Sequence, residues 1–94
     1  MRNQRAEART RHDVPGYFHV DGRLVEIKLH DHADSGLGIY TSHQFREGQQ
    51  GIVLLKNPSS GTVREVPGEV RWCQPDPAAE DHRFPYRAGL RRIA

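Results

Sequence analysis

Short segments in which apolar and polar residues alternate are the feature that most limits how this chain can fold. Val25, Ile27 and Leu29 alternate with charged or polar residues, and the same period of two recurs at Leu37 and Ile39. A period of two places one face of a β-strand against a core. No stretch of ten residues shows the period of a helix. The sequence therefore predicts an all-β protein built of short strands.

Turn-forming residues divide the chain into six or seven such strands. Asp21-Gly22 is a two-residue hairpin signal, and residues 57–61 form a loop cluster of Asn, Pro, Ser and Gly. Pro67-Gly68 is interpreted as a further turn, and residues 86–90 as the closing strand. This spacing predicts a small antiparallel six- to seven-stranded β-barrel.

The segment after Pro67-Gly68 contains the single tryptophan and the single cysteine of the chain. Strict alternation predicts that Val70 and Trp72 face the core and that Arg71 and Cys73 point outward. One cysteine cannot form an internal disulfide, and no CxxC pair is present to bind structural zinc.

Charge is distributed unevenly along the chain. The 94 residues suffice for one domain with a modest core. Residues 1–12 carry four arginines and one acid, residues 83–94 carry four arginines and no acid, and the middle is acidic. Residues 1–13 lack apolar periodicity, so we predict a flexible basic N-terminal arm there and the barrel in residues 14–94. Arginine suits planar, bidentate recognition of phosphate or of a guanine edge.

Several classes of protein are disfavoured by missing signals. The longest aliphatic run is residues 52–55, far short of the roughly 20 residues that a membrane helix needs, so we expect no membrane insertion. The basic N-terminus is not followed by an apolar stretch, and we expect a cytoplasmic protein. No GxSxG or Walker sequence is present, and we expect no catalytic residue and no enzyme.

Two segments together resemble the ligand signature of the PilZ domain family, a small β-barrel that binds the bacterial second messenger cyclic di-GMP. The family signature is RxxxR followed by DxSxxG, and the sequence has RAEAR at residues 5–9 and DHADSGLGI at residues 31–39. Residues 68–72 and 86–90 are similar to later strands of the family. The resemblance implies a PilZ-like barrel over nearly the whole chain.

The second motif departs from the family at one position. Asp31 and Gly36 match the ends of DxSxxG, and Ala33 stands in place of the serine. A frame shifted by two residues places Ser35 and Gly38 correctly but puts Ala33 where the family has Asp or Asn. The first frame is preferred because the strand resumes at Gly36.

The resemblance implies that Arg5 and Arg9 bind the ligand from the arm, and that Asp31, Ala33 and Gly36 bind it from the barrel. Each guanidinium group can donate paired hydrogen bonds to a phosphate or to guanine. Without a hydroxyl at Ala33, one neutral hydrogen bond worth about 0.5–1.5 kcal/mol is lost, which is roughly a 2- to 13-fold loss of affinity. Three further residues could add contacts: Arg71, Trp72 and Arg87.

Other interpretations of these residues remain open. The arginines could be solvated charges, Asp31 and Gly36 turn formers, and Trp72 a core residue. A PilZ-like protein-interaction domain that binds no nucleotide would fit the missing serine. His30 and His32 share a strand face but are two ligands where a metal site needs three or four, so we predict no metal and no cofactor. The scattered aromatics disfavour binding of DNA or RNA. The expected partners are cyclic di-GMP and a downstream protein.

Overall fold

Six antiparallel strands form a closed barrel in the computed structural model, which describes residues 10–93, with side chains from residue 13 onward. Around the barrel the strands follow the order β1, β2, β3, β6, β5, β4, and β4 pairs again with β1. The predicted all-β antiparallel barrel is confirmed, with six strands. The strands are Thr10–Val20 (β1), Arg23–His32 (β2), Gly36–Thr41 (β3), Gln50–Lys56 (β4), Val63–Pro75 (β5) and Tyr86–Arg92 (β6).

Alternation decides which side chains fill the barrel. Val25, Ile27 and Leu29 face inward from β2, and Leu37 and Ile39 face inward from β3, as the sequence pattern predicted. Each such side chain contributes about 1.5–3 kcal/mol when it is fully removed from water. The largest fully buried side chains are Phe18, Ile27, Ile39, Thr41, Val53 and Val70.

The β1–β2 hairpin follows the turn chemistry of its two connecting residues. Asp21 has a φ of 53° and Gly22 a φ of 73°. Positive φ at both central residues is the conformation that a type I′ turn requires, and its twist matches that of the flanking strands. The predicted hairpin at Asp21-Gly22 is therefore confirmed.

Strand β5 corrects one prediction, because Pro67-Gly68 lie within the strand and do not form a turn. The N–H and C=O of one residue in an antiparallel strand point to the same side. The carbonyl of Pro67 accepts a hydrogen bond from the N–H of Ile93 at 3.1 Å, which is the side away from β4. The missing N–H of proline therefore costs no hydrogen bond to β4, and the strand continues.

A bulge further along β5 corrects a second prediction. Between Val70 and Trp72 the register with β6 shifts, and Arg71 is the extra residue. Val70 is 1% exposed as predicted, whereas Trp72 is 43% exposed and does not face the core. Cys73, predicted to point outward, packs against the core instead, and its Sγ accepts the N–H of Phe45 at 3.4 Å. The bulge breaks the strict alternation on which both predictions rested.

Strand β1 begins at Thr10, ahead of residue 14, where the sequence analysis begins the barrel. Thr10 pairs with His32, and the register shifts before Val14. The polar residues before Val14 carry no apolar alternation, so their pairing leaves no periodic signal in the sequence. The rest of the predicted arm, residues 1–9, lies outside the described residues.

Candidate ligand-binding groove

Two paired glycines form the floor of a groove on the outside of the barrel. Gly38 on β3 lies directly opposite Gly89 on β6. A Cβ atom at Gly38 would come within 2.7 Å of Asp31 Oδ1, and one at Gly89 would overlap the indole of Trp72. Glycine at both positions lets the side chains of the neighbouring strands lie across the floor.

A bulge in β2 directs two successive side chains toward this floor. The register between β2 and β3 shifts between Leu29 and Asp31, and His30 is the extra residue. The His30 ring lies against the Tyr40 ring with 4.6 Å between the centroids. His30 Nδ1 lies 3.7 Å from a carboxylate oxygen of Asp31, whose side chain is 14% exposed. The Asp31 carboxylate is thus held at one wall of the groove.

The bulge in β5 builds the opposite wall in the same way. It leaves Arg71 exposed and brings the Trp72 indole over the backbone of Gly89. The Arg87 guanidinium carbon lies 6.0 Å from the centroid of the Trp72 ring, within the range of a cation–π contact. Arg87 Nε is buried and has no hydrogen-bond partner in the described part of the chain.

The groove between these walls has a volume of about 410 Å³ and carries positive charge. Arg71 and Arg87 make no ion pair within residues 13–93, whereas Arg91 pairs with Glu69. Free guanidinium groups beside an aromatic ring can bind an anionic ligand that has planar groups. The lining residues are His30, Asp31, Ser35, Gly36, Leu37, Gly38, Arg71, Trp72, Arg87, Gly89, Leu90 and Arg91.

An acidic cleft of about 490 Å³ adjoins the groove. The groove and the cleft share His30, Asp31 and Arg87. The additional acidic residues of the cleft are Asp13, Asp76, Glu80 and Asp81. Like charges repel, so an anionic ligand is directed to the groove and away from the cleft.

The loop between β5 and β6 forms the outer wall of the cleft. Phe84 is 4% exposed, and the cationic groups of Lys28 and Arg83 lie 5.5 and 5.3 Å from its ring centroid. Two hydrogen bonds of 3.2 and 2.9 Å join the Arg83 guanidinium to Asp81. The hydrogen bonds from Arg83 lower the pKa of Asp81 to about 2. No residue of this loop was a site candidate in the sequence.

The structure brings together five of the eight sequence-predicted site residues. Asp31, Gly36, Arg71, Trp72 and Arg87 all line the groove. Two others, at positions 5 and 9, lie outside the described residues. The eighth, Ala33, has a buried side chain that is not part of the groove lining. Its backbone N–H donates a hydrogen bond of 2.9 Å to the carbonyl of Gly36 and so closes the turn.

Seven of the twelve groove residues were not candidates in the preferred frame: His30, Ser35, Leu37, Gly38, Gly89, Leu90 and Arg91. Gly89 and Arg91 follow Arg87 at intervals of two on β6, so the alternation in the sequence already placed all three on one face. Gly38 belonged to the alternative frame of the motif. His30 lines the groove only because of the bulge in β2, for which the sequence carries no periodic signal.

Two other kinds of site have no candidate among residues 10–93. In that part of the chain, no three His, Cys, Asp or Glu side chains converge in a way that could hold a metal ion. No helix there is long and apolar enough to cross a membrane.

The fold and the groove define the class of protein. The chain is a small closed antiparallel barrel whose candidate site lies on the outer surface, between bulged strands. A sequence model of the PilZ domain family matches residues 3–91, and the chain belongs to that family. The predicted membership of the PilZ family is thereby confirmed.

Two solved structures share the fold of this chain. The Bacillus subtilis inhibitor of motility (MotI/DgrA) superposes with a TM-score of 0.74 at 14% identity, covering 99% of this chain. This chain spans 44% of the length of that protein. The PilZ domain of YcgR from Escherichia coli, solved with c-di-GMP, superposes with a TM-score of 0.71 at 14% identity. The match covers 97% of this chain and 79% of the YcgR chain. A search of curated protein sequences finds no match.

Proposed function

We propose that this PilZ domain is a receptor module that binds cyclic di-GMP through Arg5, Arg9 and the turn between Asp31 and Gly36. The observation that carries the proposal is the groove itself. It combines the Asp31 carboxylate with the guanidinium groups of Arg71 and Arg87. Neither guanidinium group makes an ion pair within the described residues. The solved YcgR domain with c-di-GMP supports a ligand of this kind in the same fold.

The chemistry of the groove suits both parts of such a ligand. The ligand's two phosphates are acceptors for charged donors, and the guanidinium groups of Arg71 and Arg87 at the groove are donors of this kind. Asp31 can accept hydrogen bonds from guanine N–H groups. A guanine base could stack on the exposed indole of Trp72, which also lies near the Arg87 guanidinium.

The start of β1 explains how the arm arginines could reach the same site. Thr10 pairs with His32, which follows Asp31 in the chain. Arg9 directly precedes Thr10, and Arg5 is four residues before Arg9. We therefore propose that ligand binding brings both arginines to the groove from its β2 side. The surface that they create with the ligand would be recognised by a downstream protein partner.

The proposed role is ligand binding in the cytoplasm and not catalysis. It involves no binding of DNA or RNA and no insertion into a membrane. Ala33 holds the turn closed through its backbone, and its missing hydroxyl weakens the ligand site by one hydrogen bond at most. The backbone at Gly36 permits close approach of the ligand.

Calorimetric titration with cyclic di-GMP tests this function. We expect saturable binding, and loss of binding when Arg5 and Arg9 are both replaced by Ala. The matched control replaces Arg46 and Arg64, which are exposed and lie outside the groove, and it removes the same charge. If the control loses as much affinity as the arm variant, net charge and not a specific site binds the ligand.

A second function is favoured by one observation. The buried alanine at position 33 lacks the hydroxyl of the family motif, as expected for a PilZ-like protein-interaction domain that has lost the nucleotide. Absence of heat at high micromolar cyclic di-GMP would favour that function over messenger binding.

A further inference from the structure

An apolar surface lies on the side of the barrel opposite to the groove. The described residues include four large apolar side chains that are exposed, and Trp72 belongs to the groove. The other three are Tyr17 on β1, Leu24 on β2 and Val63 on β5, which are 46%, 57% and 58% exposed. Clusters of exposed apolar side chains on a small domain mark interaction sites more often than chance.

The strand register makes these side chains one continuous surface. Tyr17 lies directly opposite Leu54 on β4, and both point outward because their neighbours in sequence are buried or turned inward. Leu24 is diagonal to Tyr17, and Val63 is diagonal to Leu54. Diagonal neighbours lie about 7–8 Å apart, within reach of large side chains. Ile52, two residues before Leu54 on β4, lies on the same side, and the exposed His19 stands between it and Leu24. We call Tyr17, Leu24, Ile52, Leu54 and Val63 the apolar face.

The closed barrel limits how a partner can use this face. All six strands are paired on both sides, and β1, β4 and β5 pair with regular register across the face. No free strand edge is available there for a partner to extend the sheet. A partner must therefore pack against the side chains.

Two carboxylates border the centre of the apolar face on opposite sides. Glu26 on β2 lies directly opposite Tyr17, and Glu65 on β5 lies directly opposite Leu54. Neither carboxylate makes an ion pair within residues 13–93. The row across the four strands is thus acidic, apolar, apolar and acidic.

This row of charges decides between two kinds of partner. If two copies packed around a two-fold axis with Tyr17 of one copy on Leu54 of the other, Glu26 would face Glu65 across the interface. Like charges in that position oppose association. A partner with basic groups on both borders of an apolar strip would instead place a cation at each carboxylate.

We propose that the apolar face binds a protein segment that presents an apolar strip bordered on both sides by Lys or Arg. The inference is independent of messenger binding, because the face and the groove lie on opposite halves of the barrel. Lys56 lies on the same face, opposite Val63, and it repels the basic border of such a partner. Changes at Glu65 and Lys56 therefore act in opposite directions.

A nuclear magnetic resonance titration of the full chain with a synthetic helical peptide tests the proposal. The peptide carries a strip of Leu with Lys on both borders, and its matched control carries Glu in place of Lys. We expect saturable binding of the Lys peptide, with shifts confined to the apolar face, and no binding of the Glu peptide. Leu24→Ser and Glu65→Lys should each weaken binding about tenfold, whereas Lys56→Glu should tighten it.

Three outcomes would overturn the proposal. Equal binding of both peptides would remove the role of the acidic borders. Shifts that map to the acidic cleft would show that the basic peptide binds there instead. If the chain sediments as a dimer and Leu24→Ser dissociates it, the apolar face binds a second copy of the chain. Leu24 is 57% exposed, so its truncation leaves the core intact, and unchanged resonances away from the face verify the fold.

Discussion

The two halves of the barrel differ in strand register, and their outer surfaces differ accordingly. Around β3 and β6, the pairs β2–β3 and β5–β6 both contain a shift in register. Around β1 and β4, the pairs β1–β4 and β4–β5 have no shift, and the pair β1–β2 shifts only before Val14, outside the stretch that carries Tyr17 and Leu24. The first half carries the groove with its arginines, and the second half carries the apolar face.

The comparison shows how one barrel can present two different surfaces. A bulge places an extra residue on one strand and re-aims its side chains. In this way His30 and Asp31 on one strand, and Arg71 and Trp72 on another, come to border the glycine floor. Regular register instead keeps every second side chain on a smooth surface, which suits packing against a protein.

Among changes on the barrel itself, the largest effect should come from removing the groove's cations. We expect replacement of both Arg71 and Arg87 by Ala to weaken cyclic di-GMP binding by at least about 100-fold, because a charged hydrogen bond contributes about 1.5–3 kcal/mol. Calorimetry measures the change, and the melting temperature verifies folding. If Leu24→Ser, on the opposite half, weakens binding equally, the assignment of the ligand to one half is wrong.

A valine at Gly89 should have the next largest effect. Its side chain would occupy the place of the Trp72 indole, so we expect the indole to leave the wall. Tryptophan fluorescence should change in the free protein, because Trp72 is the single tryptophan, and ligand affinity should fall about tenfold. Unchanged fluorescence would show that the glycine floor does not position this wall.

The motif turn should give a smaller effect. Ser35 lines the groove, whereas the side chain of Ala33 is buried. We expect Ser35→Ala to weaken binding by about 2- to 13-fold, the value of one neutral hydrogen bond, and Ala33→Ser to change it less than twofold. Tighter binding by Ala33→Ser would instead support the frame in which residue 33 occupies the serine position.

The smallest effect should be on stability in acid. The hydrogen bonds from Arg83 lower the pKa of Asp81 from 3.8 to about 2. A lowered native pKa gives stability that is fully present above the unfolded pKa and is lost as the pH falls through the native one. We expect the melting temperature of the wild type to fall more between pH 4 and pH 2 than that of Asp81→Asn. The melting temperature of Arg83→Ala should likewise fall less between pH 4 and pH 2 than that of the wild type. The same pH dependence in the wild type and in both variants would contradict this account.

Much of the fold could be predicted because alternation and turn chemistry are local. The inward residues of β2 and β3 and the hairpin at Asp21-Gly22 followed directly from neighbouring residues. The prediction of a turn at Pro67 is wrong because the place of this proline in a strand depends on Ile93, far along the chain. The N–H of Ile93 donates a hydrogen bond to the Pro67 carbonyl. The outward position of Trp72 likewise depends on register with β6.

The candidate site was predictable in its parts but not in its assembly. Asp31 and Gly36 came from the motif, and Arg71, Trp72 and Arg87 were identified as possible contacts. Their convergence depends on β3 and β6 lying between β2 and β5, and this order is a property of barrel closure. The acidic cleft that borders the groove also joins residues from distant parts of the sequence.

The amino-acid sequence by itself determined the strand class, most inward faces, the two-residue hairpin and the family motif, because each depends on residues close together in the chain. Only the tertiary structure decided where the register shifts, which side chains those shifts turn outward, and which side chains together form a groove or an apolar face. These features depend on hydrogen bonding between strands that are distant in sequence, and a local pattern of apolar residues does not encode such pairing.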